Sequence, residues 1–274
     1  MTLPKDVTLI ESGKPGPVLA IFAGVHGNEK AGVYALQELL PTLSVTKGKV
    51  YVVMANPLAI KQNVRMLTKN LNRCFYVGND GIDPEDVRAR ELMRLLDECD
   101  ALLDLHMFYD EIGQPFVICE DNAISISQRF DVGIISTNWT DVEPGGTDGY
   151  MYLQGKIGIC VECGPIAKAE QYVSFAKNTI YQFLKSYDMT DETVEYSDSQ
   201  KRVIRAEKTV LKSNETFVLQ PNLRNFQRLK PGQLLAEKHG KQYRAGKNQC
   251  IIFPHYQARI GEEAYIIGTE ITTD

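Results

Sequence analysis

Short runs of Val, Ile and Leu alternate with stretches whose apolar residues recur at helical spacing, and this alternation leaves few folds open. Val18-Leu19-Ala20-Ile21-Phe22 is a continuous apolar run ending in Gly24, and residues 28–40 carry helical periodicity that stops before Pro41. Residues 49–55 are β-rich and end at Asn56-Pro57, while 84–99 read as a helix with Asp83 as N-cap and Pro84 in its first turn. Residues 101–105 read as a strand ending in His106; 116–119, 132–135 and 157–161 are further strands, and 167–187 a long helix. Strands buried on both faces read as unbroken apolar runs, and strands separated by helices pair in parallel. The expected fold is α/β, a mixed and largely parallel central sheet flanked by helices over residues 1–190. The pattern then changes. Residues 189–200 are polar and acidic and read as a linker. Short strand-like pieces at 202–210, 216–219, 250–253 and 264–267, with turn signals at Pro231-Gly232 and Gly246, predict a smaller β-rich C-terminal domain over 195–274.

Bulk properties narrow the function classes. With 274 residues, 43% hydrophobic and 24% charged, the chain can bury a core without disulfides. A net charge of -5 argues against nucleic acid or an anionic membrane as partner, since both reward a basic surface. Met1-Thr2-Leu3-Pro4-Lys5-Asp6 lacks the basic start and apolar run of a signal peptide, and the apolar runs fall short of the ~20 residues of a spanning helix. A cytoplasmic location is the expectation, with a homo-oligomer left open. Six cysteines form no disulfide framework, and Cys160 and Cys163 read as thiols buried beside a sheet.

The sharpest local signal is Gly24-Val25-His26-Gly27-Asn28-Glu29. An imidazole and a carboxylate three residues apart, where a strand turns into a helix, can both point at one metal ion. A catalytic zinc site needs a third protein ligand and an open position, and His106 at the end of its strand can supply that ligand. Asp104 lies two residues earlier on the same strand face, suited either to orienting a ligand or to a structural role. His239 and His255 have no comparable setting. Arg65 and Arg73 carry the planar fork that binds carboxylates, so near a metal they point to an anionic substrate; otherwise they are surface residues of a polar loop. Glu162, in Val161-Glu162-Cys163-Gly164-Pro165, ends an apolar strand, where it can serve as general base or as a helix-capping carboxylate.

Taken in order, GVHGNE, Asn56-Pro57, Arg65, NLNRCF (residues 70–75), LLDLH (102–106) and VECGP (161–165) resemble the succinylglutamate desuccinylase/aspartoacylase family, a branch of the zinc carboxypeptidase-like hydrolases. The resemblance implies a zinc carboxypeptidase-like α/β fold and one Zn2+ per chain on His26, Glu29 and His106. It implies Glu162 as general base and proton donor, Arg65 as the group that stabilises the oxyanion, and Asn72 with Arg73 as the clamp on the substrate carboxylate. The expected function is zinc-dependent hydrolysis of the amide bond in an N-acyl amino acid or similar small carboxylated substrate. The alternatives are a metallocarboxypeptidase using the same residues and a non-catalytic zinc-scaffold binding protein. Two departures stand out. Asn70 replaces the Asp that opens the family's DLNR run, which removes a charge near Arg73. Residues 145–152, where related enzymes read the acyl group, hold no arginine for a second carboxylate, only Tyr150, Tyr152 and, beyond them, Lys156 as candidates.

Overall fold

The computed structural model describes residues 3–194, 196 and 200–271. The strands are β1 (Val7–Glu11), β2 (Val18–Ala23), β3 (Lys49–Met54), β4 (Ala101–Phe108), β5 (Phe116–Cys119), β6 (Ile134–Thr137), β7 (Ile157–Pro165), β8 (Arg202–Leu211), β9 (Val218–Leu219), β10 (Gln227–Arg228), β11 (Leu234–Lys238), β12 (Lys241–Arg244), β13 (Gln249–Ile252) and β14 (Glu263–Ile271). The helices are α1 (Lys30–Leu39), α2 (Pro57–Gln62), α3 (Pro84–Leu96), α4 (Ile124–Ser127), α5 (Trp139–Val142), α6 (Thr147–Leu153) and α7 (Val173–Ser186).

An 11-stranded sheet runs β1-β3-β2-β4-β7-β5-β6-β8-β14-β13-β10, and a separate 3-stranded sheet runs β12-β11-β9. Strands β3, β2, β4 and β7 are mutually parallel, as are β5, β6 and β8, while β5 meets β7 antiparallel. The fold is thus a mixed, largely parallel sheet with helices, followed by a small antiparallel β-rich C-terminal region. Alternation explains why the central strands read as unbroken apolar runs. Leu19, Ile21 and Ala23 of β2 pack on one face with α1 and α7, whereas Ala20 and Phe22 pack on the other with α3 and α6. Each face needs apolar side chains, so no position on the strand is left polar.

The structure departs from the sequence-based expectation at several places. Strands β4 and β7 run past His106 and Glu162, because their parallel pairing continues to Phe108 and Pro165. The long helix expected over 167–187 is divided: a 3-10 segment, Ile166–Tyr172, leaves helical space at Lys168 (φ −122°, ψ 25°) before α7 begins. The stretch expected as a linker starts with fully buried Met189, whose carbonyl accepts the Thr46 N–H at 3.0 Å. Residues 195 and 197–199 of that stretch lie outside the described residues. Within the β-rich C-terminal region, β8 pairs in parallel with β6 and carries the central sheet onward, while β9, β11 and β12 form the separate sheet.

Candidate metal centre

The site grows from the turn between β2 and α1. Gly24 adopts φ +71°, and a Cβ on Gly27 would stand 2.0 Å from the carbonyl carbon of Ala59, so the turn can lie against α2 only without side chains there. Gly27 N–H donates to the Arg65 carbonyl at 3.2 Å, which ties the turn to the loop after α2. From this turn His26 and Glu29 both point inward and are buried. His106 and Glu162 stand directly opposite each other in the β4–β7 register, on the face shared with Asp104 and Cys160.

Glu29 is the hub. Its Oε1 lies 2.7 Å from His26 Nδ1, and its Oε2 lies 3.0 Å from His106 Nδ1. Arg65 Nη1 donates to Oε1 at 2.9 Å and Met107 N–H to Oε2 at 2.9 Å. Each imidazole therefore turns Nδ1 toward Glu29 and Nε2 away from it. His26 Nε2 lies 2.8 Å from Asn70 Oδ1, and His106 Nε2 makes a 3.0 Å ion-pair contact with Asp104 Oδ2. The Thr147 hydroxyl donates to that same Asp104 oxygen at 2.6 Å. Of the two roles open to Asp104, the structure shows the one behind a histidine.

The metal-binding atoms of His26, Glu29 and His106 all lie within 4.8 Å of one another, and so do those of His106, Cys160 and Glu162. Burial lowers the His26 pKa against the pull of Glu29. Burial would raise Glu29, but His26 and His106 hold it well below the usual carboxylate range. Burial likewise opposes charge on His106, yet Asp104 and Glu29 lift it well above an ordinary imidazole. Burial, and then the nearby Glu29 carboxylate, push Glu162 up to about 8. Glu162 Oε2, Asp104 Oδ1 and His106 Nε2 are buried with no hydrogen-bond partner, so the 3.0 Å approach of Asp104 to His106 is a charge contact and not a hydrogen bond. Two imidazole nitrogens and a carboxylate crowded at one point, with an unsatisfied carboxylate oxygen alongside, form a donor set that fits a divalent ion of zinc's kind. Such a set supplies three protein ligands and leaves one position open.

Beside this centre, Asn72 Oδ1 accepts the Thr147 N–H at 3.1 Å, and Arg73 reaches the carbonyl of Asn72 and the carboxylate of Glu143. Glu143 is held in turn by the Thr209 hydroxyl of β8 at 2.6 Å. Glu263, the first residue of β14, bears on the same group; burial and then Glu143 raise its carboxyl to about 7. The guanidinium of Arg65 lies over the Tyr109 ring, 5.9 Å from its centroid. The expected influence of Asn70 on Arg73 is not seen. The 3-10 turn Leu71–Arg73 sends the two side chains apart, so Asn70 backs His26 and Glu143 orients Arg73. Sequence reasoning missed Glu143, Thr147, Thr209 and Glu263, because no local pattern marks residues whose partners lie 43 or more positions away in the chain. Tyr109, three residues beyond His106 at the end of the same strand, was within reach of such reasoning.

Comparison with known proteins identifies the family. The succinylglutamate desuccinylase/aspartoacylase catalytic domain matches residues 15–188, and the AstE/AspA barrel-sandwich hybrid domain matches residues 179–271. A succinylglutamate desuccinylase from Serratia proteamaculans is 27% identical over 94% of this chain and 86% of that protein. An N-acyl-aromatic-L-amino acid amidohydrolase from Xenopus tropicalis is 26% identical over 54% of each chain. The structure of succinylglutamate desuccinylase from Vibrio cholerae superposes with a TM-score of 0.82 at 17% identity, covering 98% of this chain and 87% of that one, which speaks for the fold. With its catalytic and hybrid domains both matched along nearly its whole length, the chain belongs to the succinylglutamate desuccinylase/aspartoacylase family of hydrolases.

Proposed function

We propose that this protein is a zinc-dependent hydrolase that cleaves the amide bond of an N-acyl amino acid, or a similar small carboxylated amide. The observation that carries the reading is the meeting of His26, Glu29 and His106 within 4.8 Å, with the unpaired Glu162 Oε2 buried beside them. Zinc bound there supplies a Lewis acid for the scissile carbonyl and makes water acidic near neutral pH.

The chain's own residues would do the rest. Glu162, desolvated and short of partners, takes the proton from the attacking water and returns it to the departing amine nitrogen. Its buried, unpartnered oxygen is placed for both halves of that transfer. Arg65, half-exposed and already directed at the centre through Glu29, donates to the carbonyl oxygen as negative charge develops on it. Arg73 and Asn72 bind the substrate carboxylate. For Arg73 that means exchanging part of its contact with Glu143 for the ligand.

A metallocarboxypeptidase is the second reading, and it is favoured only by the shared donor set. A non-catalytic scaffold is opposed by the presence of base, arginine and ligands together. The deciding experiment combines zinc analysis of the purified protein with a panel of acetyl, succinyl and formyl amino acids, using Glu162→Gln as control. We expect about one zinc per chain, turnover of at least one panel member, and a loss of ~10²-fold or more in the variant with zinc retained. Full turnover in Glu162→Gln would remove that residue from the mechanism. Zinc with no turnover except of peptides would establish the carboxypeptidase reading instead.

A further inference from the structure

Asn70 and Asp104 hold equivalent places behind the two histidines, and they differ in charge. The Asn70 carboxamide is oriented by the backbone: its Oδ1 accepts the Asn72 N–H at 2.9 Å, a contact that only the oxygen end can make. The same Oδ1 lies 2.8 Å from His26 Nε2. Two acceptors cannot face each other at that distance, so His26 Nε2 carries a hydrogen and donates it. Nδ1, 2.7 Å from Glu29 Oε1, is then the nitrogen turned to the centre: with no ion bound it shares a hydrogen with that carboxylate, and it gives the hydrogen up when an ion takes its place. His106 has its Nδ1 turned inward in the same way, but its Nε2 faces the Asp104 carboxylate at 3.0 Å, an ion-pair contact outside hydrogen-bond geometry.

From this pairing we infer that Asn70 is the positioning residue of His26, and that its neutral carboxamide makes His26 the weaker arm, so that this chain holds its divalent ion loosely and exchanges it. A carboxylate behind a ligating imidazole does two things: it fixes the ring, and it makes the ring a better electron donor to the metal. A carboxamide does only the first, because a hydrogen bond to a neutral oxygen is about half as strong as one to a charged oxygen. His26 is oriented by its carboxamide partner but not strengthened by a charge, whereas His106 lies in the field of a carboxylate. Asn70→Asp keeps the shape, the acceptor for Asn72 N–H and the acceptor for His26 Nε2, and adds the missing charge.

The inference rests on the metal reading above, and its test separates the two. Zinc affinity of the full chain is measured by competition with a chromophoric chelator, and zinc release by the rate of loss to excess EDTA, for the natural protein, Asn70→Asp, Asn70→Ala and Asp104→Asn. Removing or adding such a partner shifts metal affinity by ~10–100-fold. Asn70→Asp is expected to bind zinc at least tenfold more tightly and release it correspondingly more slowly. Asn70→Ala and Asp104→Asn are expected to bind at least tenfold more weakly at temperatures where thermal unfolding shows each metal-free protein to be folded. Affinities for Asn70→Asp and Asn70→Ala within twofold of the natural protein would overturn the inference while leaving the metal reading intact. Failure of every variant and of the natural protein to bind zinc would overturn both.

Discussion

At the residue scale, the site is a set of side chains whose charges are arranged before any substrate arrives. Arg73 is the clearest case, since its fork is already divided between the Asn72 carbonyl and Glu143. A lysine keeps the charge but cannot span both contacts and a ligand. Arg73→Lys is expected to raise KM about tenfold or more for a carboxylated substrate with little change in kcat, because it weakens binding that ground and transition states share. Steady-state kinetics check this, and an equal fall in kcat would assign Arg73 to the chemical step. Glu263 supplies a pH prediction at the same scale. Its carboxyl is raised to about 7 in the folded protein against an ordinary 4.5, so between those values the folded state holds the extra proton. Stability is therefore greatest below about 4.5 as far as this group is concerned, and is lost as the pH rises through about 7. Glu263→Gln should remove that decline, so that denaturant midpoints at pH 8 rise relative to the natural protein while those at pH 5 change little. Parallel pH profiles for the two proteins would show that Glu263 is not the group responsible.

At the element scale, the turn before α1 carries more constraint than the helix it starts. A methyl on Gly27 would meet the Ala59 carbonyl carbon at 2.0 Å, and that atom is backbone and cannot swing away. Gly27→Ala is expected to cost about 2–3 kcal/mol, the upper range for overpacking, and to displace His26 and Glu29 together. The check is urea denaturation alongside zinc affinity; an unchanged midpoint would mean that the turn can shift as a body. Helix α7 works differently. Phe183 is fully buried against the sheet face opposite the site, so Phe183→Ala should cost ~3–5 kcal/mol without altering zinc affinity in the protein that remains folded. The contrast separates an element that positions chemistry from one that only closes the core.

At the scale of the whole molecule, the catalytic and C-terminal parts share their packing. One apolar cluster joins Phe108, Phe116 and Trp139 to Ile204, Phe226, Ile252 and Ile266, and the Phe116 and Phe226 rings meet edge to face with centroids 4.6 Å apart. A fragment ending before β8 would bare that surface and the edge of β6. Such a fragment is expected to aggregate or to bind a hydrophobic dye on expression, and a soluble fragment with a cooperative unfolding transition would contradict the shared core. Among the described residues no helix is long and apolar enough to cross a membrane.

What the sequence by itself determined lies in periodicity and in local spacing. Runs such as residues 18–22 announced strands buried on both faces, because a sheet covered by α1 and α7 on one side and α3 and α6 on the other requires apolar side chains in both directions. The His26–Glu29 spacing was equally legible, since a turn from strand to helix directs both side chains from a few consecutive backbone atoms. The family was readable because its short motifs keep their order. Tertiary structure alone decided which residues stand behind those groups. Asn70 backs His26 rather than Arg73, Glu143 reaches Arg73, Thr147 secures Asp104, and Thr209 and Glu263 arrive from the C-terminal strands. Such contacts join positions far apart in the chain through strand pairing and loop closure. Their geometry is set by the packing of the whole sheet and leaves no periodic trace in the residues that make them.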